Sequence, residues 1–483
     1  MSINENGKLA VRKPAVAGTF YPAGRGALQK AATGYISAAA PPPKDAGRII
    51  GVLVPHAGYV YSGAGAGAGF SAVKDLNFDT AVILGTAHHA AVRGAALCGC
   101  GAFETPLGLL EVDGALQGEL LKSSELFSVL PRAHEEEHSV EVQLPFLQSL
   151  GKKDLRILPL VLNTGAMKAL EEIGTALGGA LKGKKALLVI SSDLSHYPPA
   201  EIARRADTSF LYSLGVAARA GDFNYLALAE KLLLDMRLEG LDTVCCGFAA
   251  LVAGAFAARA LGADDFTLLE YSNSGGVKGA DTLKTVGYGT GIFAAAAGKR
   301  GLFPLSALEK KELLSLARRS IAHYFEHKRP LEPELSEYPA FNSPAAAFVT
   351  LHKNGRLRGC IGSLEARRTL AACVAGMAAE SAFGDARFPP LEQSEFGEIA
   401  IEISVLSPLL RVQSAQEIEQ GRHGVLIRKG RAGGTYLPQV WEHFKKKEDF
   451  LNSLCEEKAG IPACSWKERD TELYCYTADV ITE

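Results

Sequence analysis

The sequence predicts an α/β protein in two units: a large N-terminal unit built on a mixed or parallel sheet, and a smaller α+β unit after it. Three observations predict this. Short aliphatic runs alternate with Ala/Leu-rich stretches from Arg48 to about Phe293. A break of small and basic residues interrupts that pattern at residues 294–306. Alternating strand-like segments follow, with a hairpin signal at Asn354-Gly355.

In chain order, the runs RIIGVLV, TAVILG, RILPLVL and KALLVIS are rich in Val, Ile and Leu and bounded by turn residues. Continuous apolar runs of this length suit strands buried on both faces. Met167 to Leu181 suits a helix between two of them, and GFAALVAGAFAARALG suits a packed helix, being too short and too small-residue-rich to cross a membrane. No period of 20 to 50 residues repeats, which argues against a solenoid. AAAAGKRGLFPLS then breaks the pattern, with a basic pair and Pro304. The expected units are residues 8–296 and 302–483. The second opens with SALEKKELLSLARRSIAHYFEHK, a serine cap before apolar residues at helical spacing. AAFVTLHKNGRLRGCIG and IAIEISVLSPL read as strands after it.

Composition narrows the function. A chain of 483 residues exceeds one ordinary core. With 47% hydrophobic and 22% charged residues it has the balance of a soluble globular protein. A formal net charge of −2 offers no electrostatic case for nucleic acid or an anionic membrane. MSINENGKLAVRK lacks the apolar core of a signal peptide. Nine cysteines, an odd count without CxxC pairs, argue against a disulfide framework or a zinc ribbon. The expected compartment is a reducing cytoplasm.

Chemistry gathers at strand ends. IIGVLVPHAGY places His56 just past a strand, AVILGTAHH does the same for His88 and His89, and ALLVISSDLSHY ends in Asp193 and His196. In open α/β sheets ligands collect outside the carboxyl ends of the strands, where connecting loops converge. A lone loop histidine is usually a solvated or capped residue. Three such ends point to a metal or acid–base site. AHEEEHSVEVQLPFL adds His134, Glu135, Glu136, Glu137, His138 and Glu141. It reads either as an acidic helix start or as a second wall of a cleft, His138 and Glu141 lying one turn apart. LDTVCCGFAAL offers Cys245 and Cys246 ahead of an apolar helix, where a thiolate is stabilised; the alternative is a pair of inert core thiols.

VPHAGYVYSG, ILGTAHH, EEEHSVEVQLPFL, SSDLSHY, the CCG segment and YSNSG…VGYG, with the early RKPAVAGTFYP, resemble the Memo family in order and spacing. The resemblance covers about residues 10 to 293. It implies a fold similar to the class III extradiol dioxygenases, which use non-haem Fe(II). It also implies His56, His88 and a cysteine as metal ligands, Cys246 aligning best with Cys245 left open beside it. Asp193 and His196 match further pocket residues: His196, oriented by Asp193, is the implied general base and acid, with His138 a second candidate. Two imidazoles and a thiolate also suit zinc or copper.

LRGCIGSLEA, DARFPPL and GGTYLPQVW of the second unit resemble the AMMECR-type domain. These two modules together resemble parts of the AmmeMemoRadiSam system, which implies a separate radical SAM protein as partner. Arg358, Cys360 and Arg387 are expected either to line one cleft that grips an anionic cofactor or ligand, or to be structural. Three functions remain open: a metal-dependent oxidoreductase acting on a small-molecule or peptide substrate, a metal-binding or delivery protein, and a non-catalytic peptide-binding scaffold.

Overall fold

A computed structural model of the chain describes residues 10–298 and 301–483. Lys8, the expected start of the first unit, and Lys299 and Arg300 in the expected linker lie outside the described residues. The chain separates into two compact units, Met1–Lys299 and Arg300–Glu483.

The first unit is built on one 11-stranded sheet. Its centre consists of β1 (Arg48–Val54), β2 (Thr80–Thr86), β3 (Arg156–Leu162), β4 (Ala186–Ser191), β5 (Asp265–Asn273) and β6 (Gly287–Ala295). In space these run β3-β2-β4-β1-β6-β5. The first four are mutually parallel, and β6 and β5 close that edge antiparallel. All seven residues of β2 are buried, as an aliphatic run covered on both faces requires. The helices Tyr59–Val73 and Met167–Leu181 are the crossovers after β1 and β3. The helix Phe248–Ala260 packs on Met167–Leu181 so closely that a Cβ on Gly174 would meet the Ala253 carbonyl at 2.4 Å.

This strand order matters for function. β2, β4 and β1 are neighbours, so the three loops that carry His88, Asp193 with His196, and His56 leave one end of the sheet side by side. Reading the strands one at a time finds the loops but not their adjacency.

Two local expectations differ from the structure. AHEEEHSVEVQLPFL is not one helix but three short ones, Arg132–Glu135, His138–Glu141 and Leu144–Ser149. Cys98 and Cys100 are joined as a disulfide, one local pair where no pairing was expected from the spacing.

The second unit is α+β. Its first helix, Ala307–His327, carries a full capping box between Ser306 and Glu309. A five-stranded sheet and a four-stranded sheet follow, both antiparallel in all their pairings. Asn354 and Gly355 turn between Pro344–Lys353 and Arg356–Gly362 with φ of 53° and 73°, the left-handed conformation that a two-residue hairpin needs. Each unit has its own buried cluster. Fragments cut between residues 296 and 302 are therefore expected to be soluble and to unfold cooperatively when expressed separately. Calorimetry of both tests this, and a fragment without a thermal transition refutes independence.

Candidate metal centre

His56 follows β1 through Pro55 and is only 2% exposed. Its backbone N–H donates to Asp193 Oδ1 at 2.7 Å, and its Nδ1 lies 3.2 Å from Ser191 Oγ. His88, beyond β2, is fixed at both ends by one carboxylate. Its backbone N–H donates to Glu137 Oε2 at 2.7 Å, and its Nδ1 sits 2.9 Å from Glu137 Oε1. Glu137 is buried, caps the helix His138–Glu141 by accepting from Ser139 N–H, and stands 3.5 Å from His138 Nδ1.

The outcome is a cluster of three imidazoles. His56, His88 and His138 each present a ligand-capable atom, all within 4.8 Å of one another. The His88 and His138 rings stack at 4.6 Å, and His56 stands edge-on to both at 5.2 and 5.4 Å. Phe20 covers His138 at 4.7 Å, while His89 lies 6.4 Å from both His88 and His138. His138 was expected to move protons; the structure groups it with the two histidines expected as ligands.

Cys246 adjoins this cluster, with Sγ 3.2 Å from His56 Nε2. The Cys245 sulfur points elsewhere, to Ser192 Oγ at 3.2 Å. Neither cysteine is helical: the helix begins at Phe248 with Gly247 as its cap, so the pair is separated by loop geometry and not by a helical turn. Gly247 is required there, because a Cβ would meet Ser192 Oγ at 2.6 Å and Thr86 Oγ1 at 2.9 Å. Cys246→Ser is therefore expected to weaken metal affinity at least about tenfold, and Cys245→Ser to cost only the modest penalty of a polar atom in a packed place. Calorimetric titration of both variants tests this, and the opposite ranking reverses the assignment.

Asp193 does not orient His196 through a direct bond among the described residues; its carboxylate is spent on the His56 amide. The His196 backbone instead bridges Thr243 and Val286, and its Nε2 is buried with no hydrogen-bond partner among the described residues. Glu141 does not face the cleft. It is fully buried, ion-paired with Arg12, and accepts from Tyr21 Oη at 2.5 Å and from Ala15 and Val16 N–H at 2.9 and 3.1 Å. Arg12 also donates to the carbonyls of His134 and Glu137 at 2.9 and 2.7 Å. The N-terminal motif is thus a strap across the back of the segment that carries Glu137 and His138. His134 is structural, its Nε2 lying 3.0 Å from the Ala96 carbonyl. Glu135 and Glu136 are not part of the imidazole cluster.

The electrostatics suit a cation. Burial pushes the His56 imidazole down to about 3, His138 to about 4, and lowers His196 as well. The His56 and His138 rings are neutral near pH 7, the state in which imidazole binds metal. Burial raises Asp193 to about 6 and raises both Cys245 and Cys246. For Glu137, burial works in the same direction, but the His88 contact and the Ser139 and His88 amides outweigh it and hold its carboxyl well below the usual range.

In the second unit, Arg358 makes a two-pronged pair with Glu395, Nε at 3.1 Å and Nη2 at 2.8 Å, and caps the Pro389 carbonyl. Arg387 pairs with Asp385 and donates to the Cys360 carbonyl at 3.0 Å. Asp385 also accepts the Cys360 N–H, and Thr350 Oγ1 donates to the Cys360 sulfur. Of the two expectations for these residues, the arrangement matches the structural one: both guanidiniums face carboxylates that brace their own loops.

An α/β sheet with imidazoles clustered from the ends of β1 and β2 and a short helix, followed by an antiparallel α+β unit, defines a two-domain protein with a candidate metal centre. The chain belongs to the Memo-like protein family, whose model matches residues 12–292, and residues 314–481 match the AMMECR1 family model. It is 33% identical over 282 residues to a MEMO1 family protein of Nitrosopumilus maritimus, covering 58% of this chain and 98% of that one. A MEMO1 family protein of Aquifex aeolicus is 35% identical over 283 residues, with the same coverage of both chains. Among solved structures, the uncharacterized protein PH0010 from Pyrococcus horikoshii is 33% identical, covering 35% of this chain and 89% of that one, with a TM-score of 0.34. No helix of the described residues is long and apolar enough to cross a membrane.

Proposed function

We propose that the first unit is a metal-dependent oxidoreductase of dioxygenase-like type, with non-haem Fe(II) as its metal. It would act in the cytoplasm on a small-molecule or peptide substrate, with a radical SAM protein as partner. One observation carries the reading: His56, His88 and His138 bring three imidazole donors within 4.8 Å of one another. The donor set fits a borderline metal, since imidazole suits iron, copper and zinc alike. Glu137, bound to His88 Nδ1, leaves Nε2 as the nitrogen available to a metal, the carboxylate–histidine arrangement common around such ligands.

Bound Fe(II) would supply coordination positions on its open face for substrate and dioxygen. The chain's own part is to hold and to move protons. His56 is walled in by Ser191 and Asp193, whereas His88 is exposed and marks the side from which substrate enters. His196, whose buried Nε2 has no hydrogen-bond partner among the described residues, is the group that takes or gives a proton.

The Cys246 sulfur beside His56 favours a second reading, metal binding or delivery, because a thiol suits soft Cu(I). Elemental analysis of protein purified without oxygen separates the readings. Iron that disappears in the His56→Ala/His88→Ala double variant supports the first, and copper supports the second. Unchanged metal content in the double variant refutes this centre, and metal-free wild-type protein leaves the scaffold reading. Oxygen uptake with a catechol-type substrate then tests turnover.

A further inference from the structure

The loop that carries Asp193 and His196 is held from behind by a buried acid that the metal-centre reading does not use. Asp207, on the helix Ala200–Ala220, is fully buried. Its Oδ1 accepts the Ser195 N–H at 3.0 Å, and its Oδ2 accepts Ser195 Oγ at 3.0 Å and Tyr271 Oη at 2.9 Å. Among the described residues no lysine or arginine pairs with it. Burial pushes its carboxyl up to about 7, against the pull of the bonds from Tyr271 and Ser195.

An unpaired buried carboxylate is expensive, and an apolar side chain of the same volume would pack this place at lower cost. What the carboxylate gains is geometry. One group ties three elements together: the helix, the β5 residue Tyr271 and the loop residue Ser195, immediately before His196. The fit leaves no slack, since a Cβ on Gly287 would fall 1.7 Å from Asp207 Oδ2. Around this point the loop is stitched to the start of β6. Leu194 N–H donates to the Gly287 carbonyl at 2.8 Å, Gly287 N–H to the Ser195 carbonyl at 2.9 Å, and Tyr197 N–H to the Thr285 carbonyl at 2.8 Å. At the other side of the same loop, Asp193 holds the His56 amide, and His196 keeps a buried Nε2 without a partner among the described residues.

We infer that Asp207 is a positioning residue for the candidate metal centre, acting through Ser195 to fix the loop from Asp193 to His196 against it. The inference rests on the metal-dependent reading for its functional half, and on loop geometry alone for its structural half. Asp207 touches neither a candidate ligand nor a substrate position.

The test uses the full chain with Asp207→Ala, Asp207→Asn, Asp207→Leu and Ser195→Ala, compared with wild type. Fe(II) affinity is measured by titration without oxygen, and amide hydrogen exchange is measured across residues 193–197. In Asp207→Ala, loop exchange should rise locally while the rest of the sheet stays protected, and Fe(II) affinity should fall roughly 10- to 100-fold, as for other groups that brace metal ligands. Asp207→Asn keeps an acceptor for the Ser195 amide and should recover most of that loss, whereas Asp207→Leu, of similar volume but with no acceptor, should not, a difference that a merely space-filling role does not predict. Ser195→Ala removes one of the bonds and should lie between. Wild-type exchange and affinity in Asp207→Ala overturn the inference. If that variant does not fold, wild-type exchange and affinity in Ser195→Ala overturn it instead. Wild-type protein without Fe(II) affinity overturns the metal reading and the functional half with it, whereas the exchange measurement still decides whether the clamp exists.

Discussion

Arg12→Ala is expected to destabilise the first unit by about 3–5 kcal/mol, the usual cost of removing one partner of a buried ion pair. Arg12 and Glu141 are both buried, at 5% and 0% side-chain exposure. Removing the guanidinium strands the Glu141 charge and frees the carbonyls of His134 and Glu137 at once. Because those carbonyls belong to the segment that presents Glu137 and His138, metal affinity should fall with stability. Denaturant unfolding of the isolated first unit measures the loss. A change below about 1 kcal/mol would mean that Tyr21 and the Ala15 and Val16 amides satisfy Glu141 unaided.

Glu137→Ala should be the most damaging substitution for metal binding outside the ligands themselves. One carboxylate holds the backbone and ring of His88, caps the helix that begins at His138, and approaches the His138 ring. Its loss should lower metal affinity roughly 100-fold, the upper end for groups that orient metal ligands. Glu137→Gln keeps the size but must turn a donor toward one of these groups, so it should fall between. Its folded carboxyl lies below the ordinary value of 4.5. The stability it contributes is therefore complete above that value and is lost as the pH falls toward the folded one. A metal titration at neutral pH with equal affinity in wild type and Glu137→Ala would remove Glu137 from the centre.

The amino-acid sequence reaches part of this arrangement. By itself it determined the two-unit α/β and α+β architecture, the four central strands, the Asn354-Gly355 hairpin, the serine-capped helix, and His56 and His88 at strand ends. These follow from local rules: side-chain period, turn chemistry and capping act within a few residues of chain. It also placed Cys246 beside the histidines, through a resemblance and not through spacing. Tertiary structure alone decided what depends on distant partners. It put β4 between β2 and β1 and so brought three loops to one place. It chose Glu137 from three consecutive glutamates to hold His88, and sent Glu141 to Arg12, 129 residues away in the chain. It gave Arg358 its partner Glu395, 37 residues away in the chain, and drew His138 into the imidazole cluster. The physical reason is that a carboxylate or guanidinium has the same chemistry wherever it stands. Its role is set by which donors, acceptors and charges the fold places within about 3 Å of it, and the one-dimensional pattern does not carry that distance.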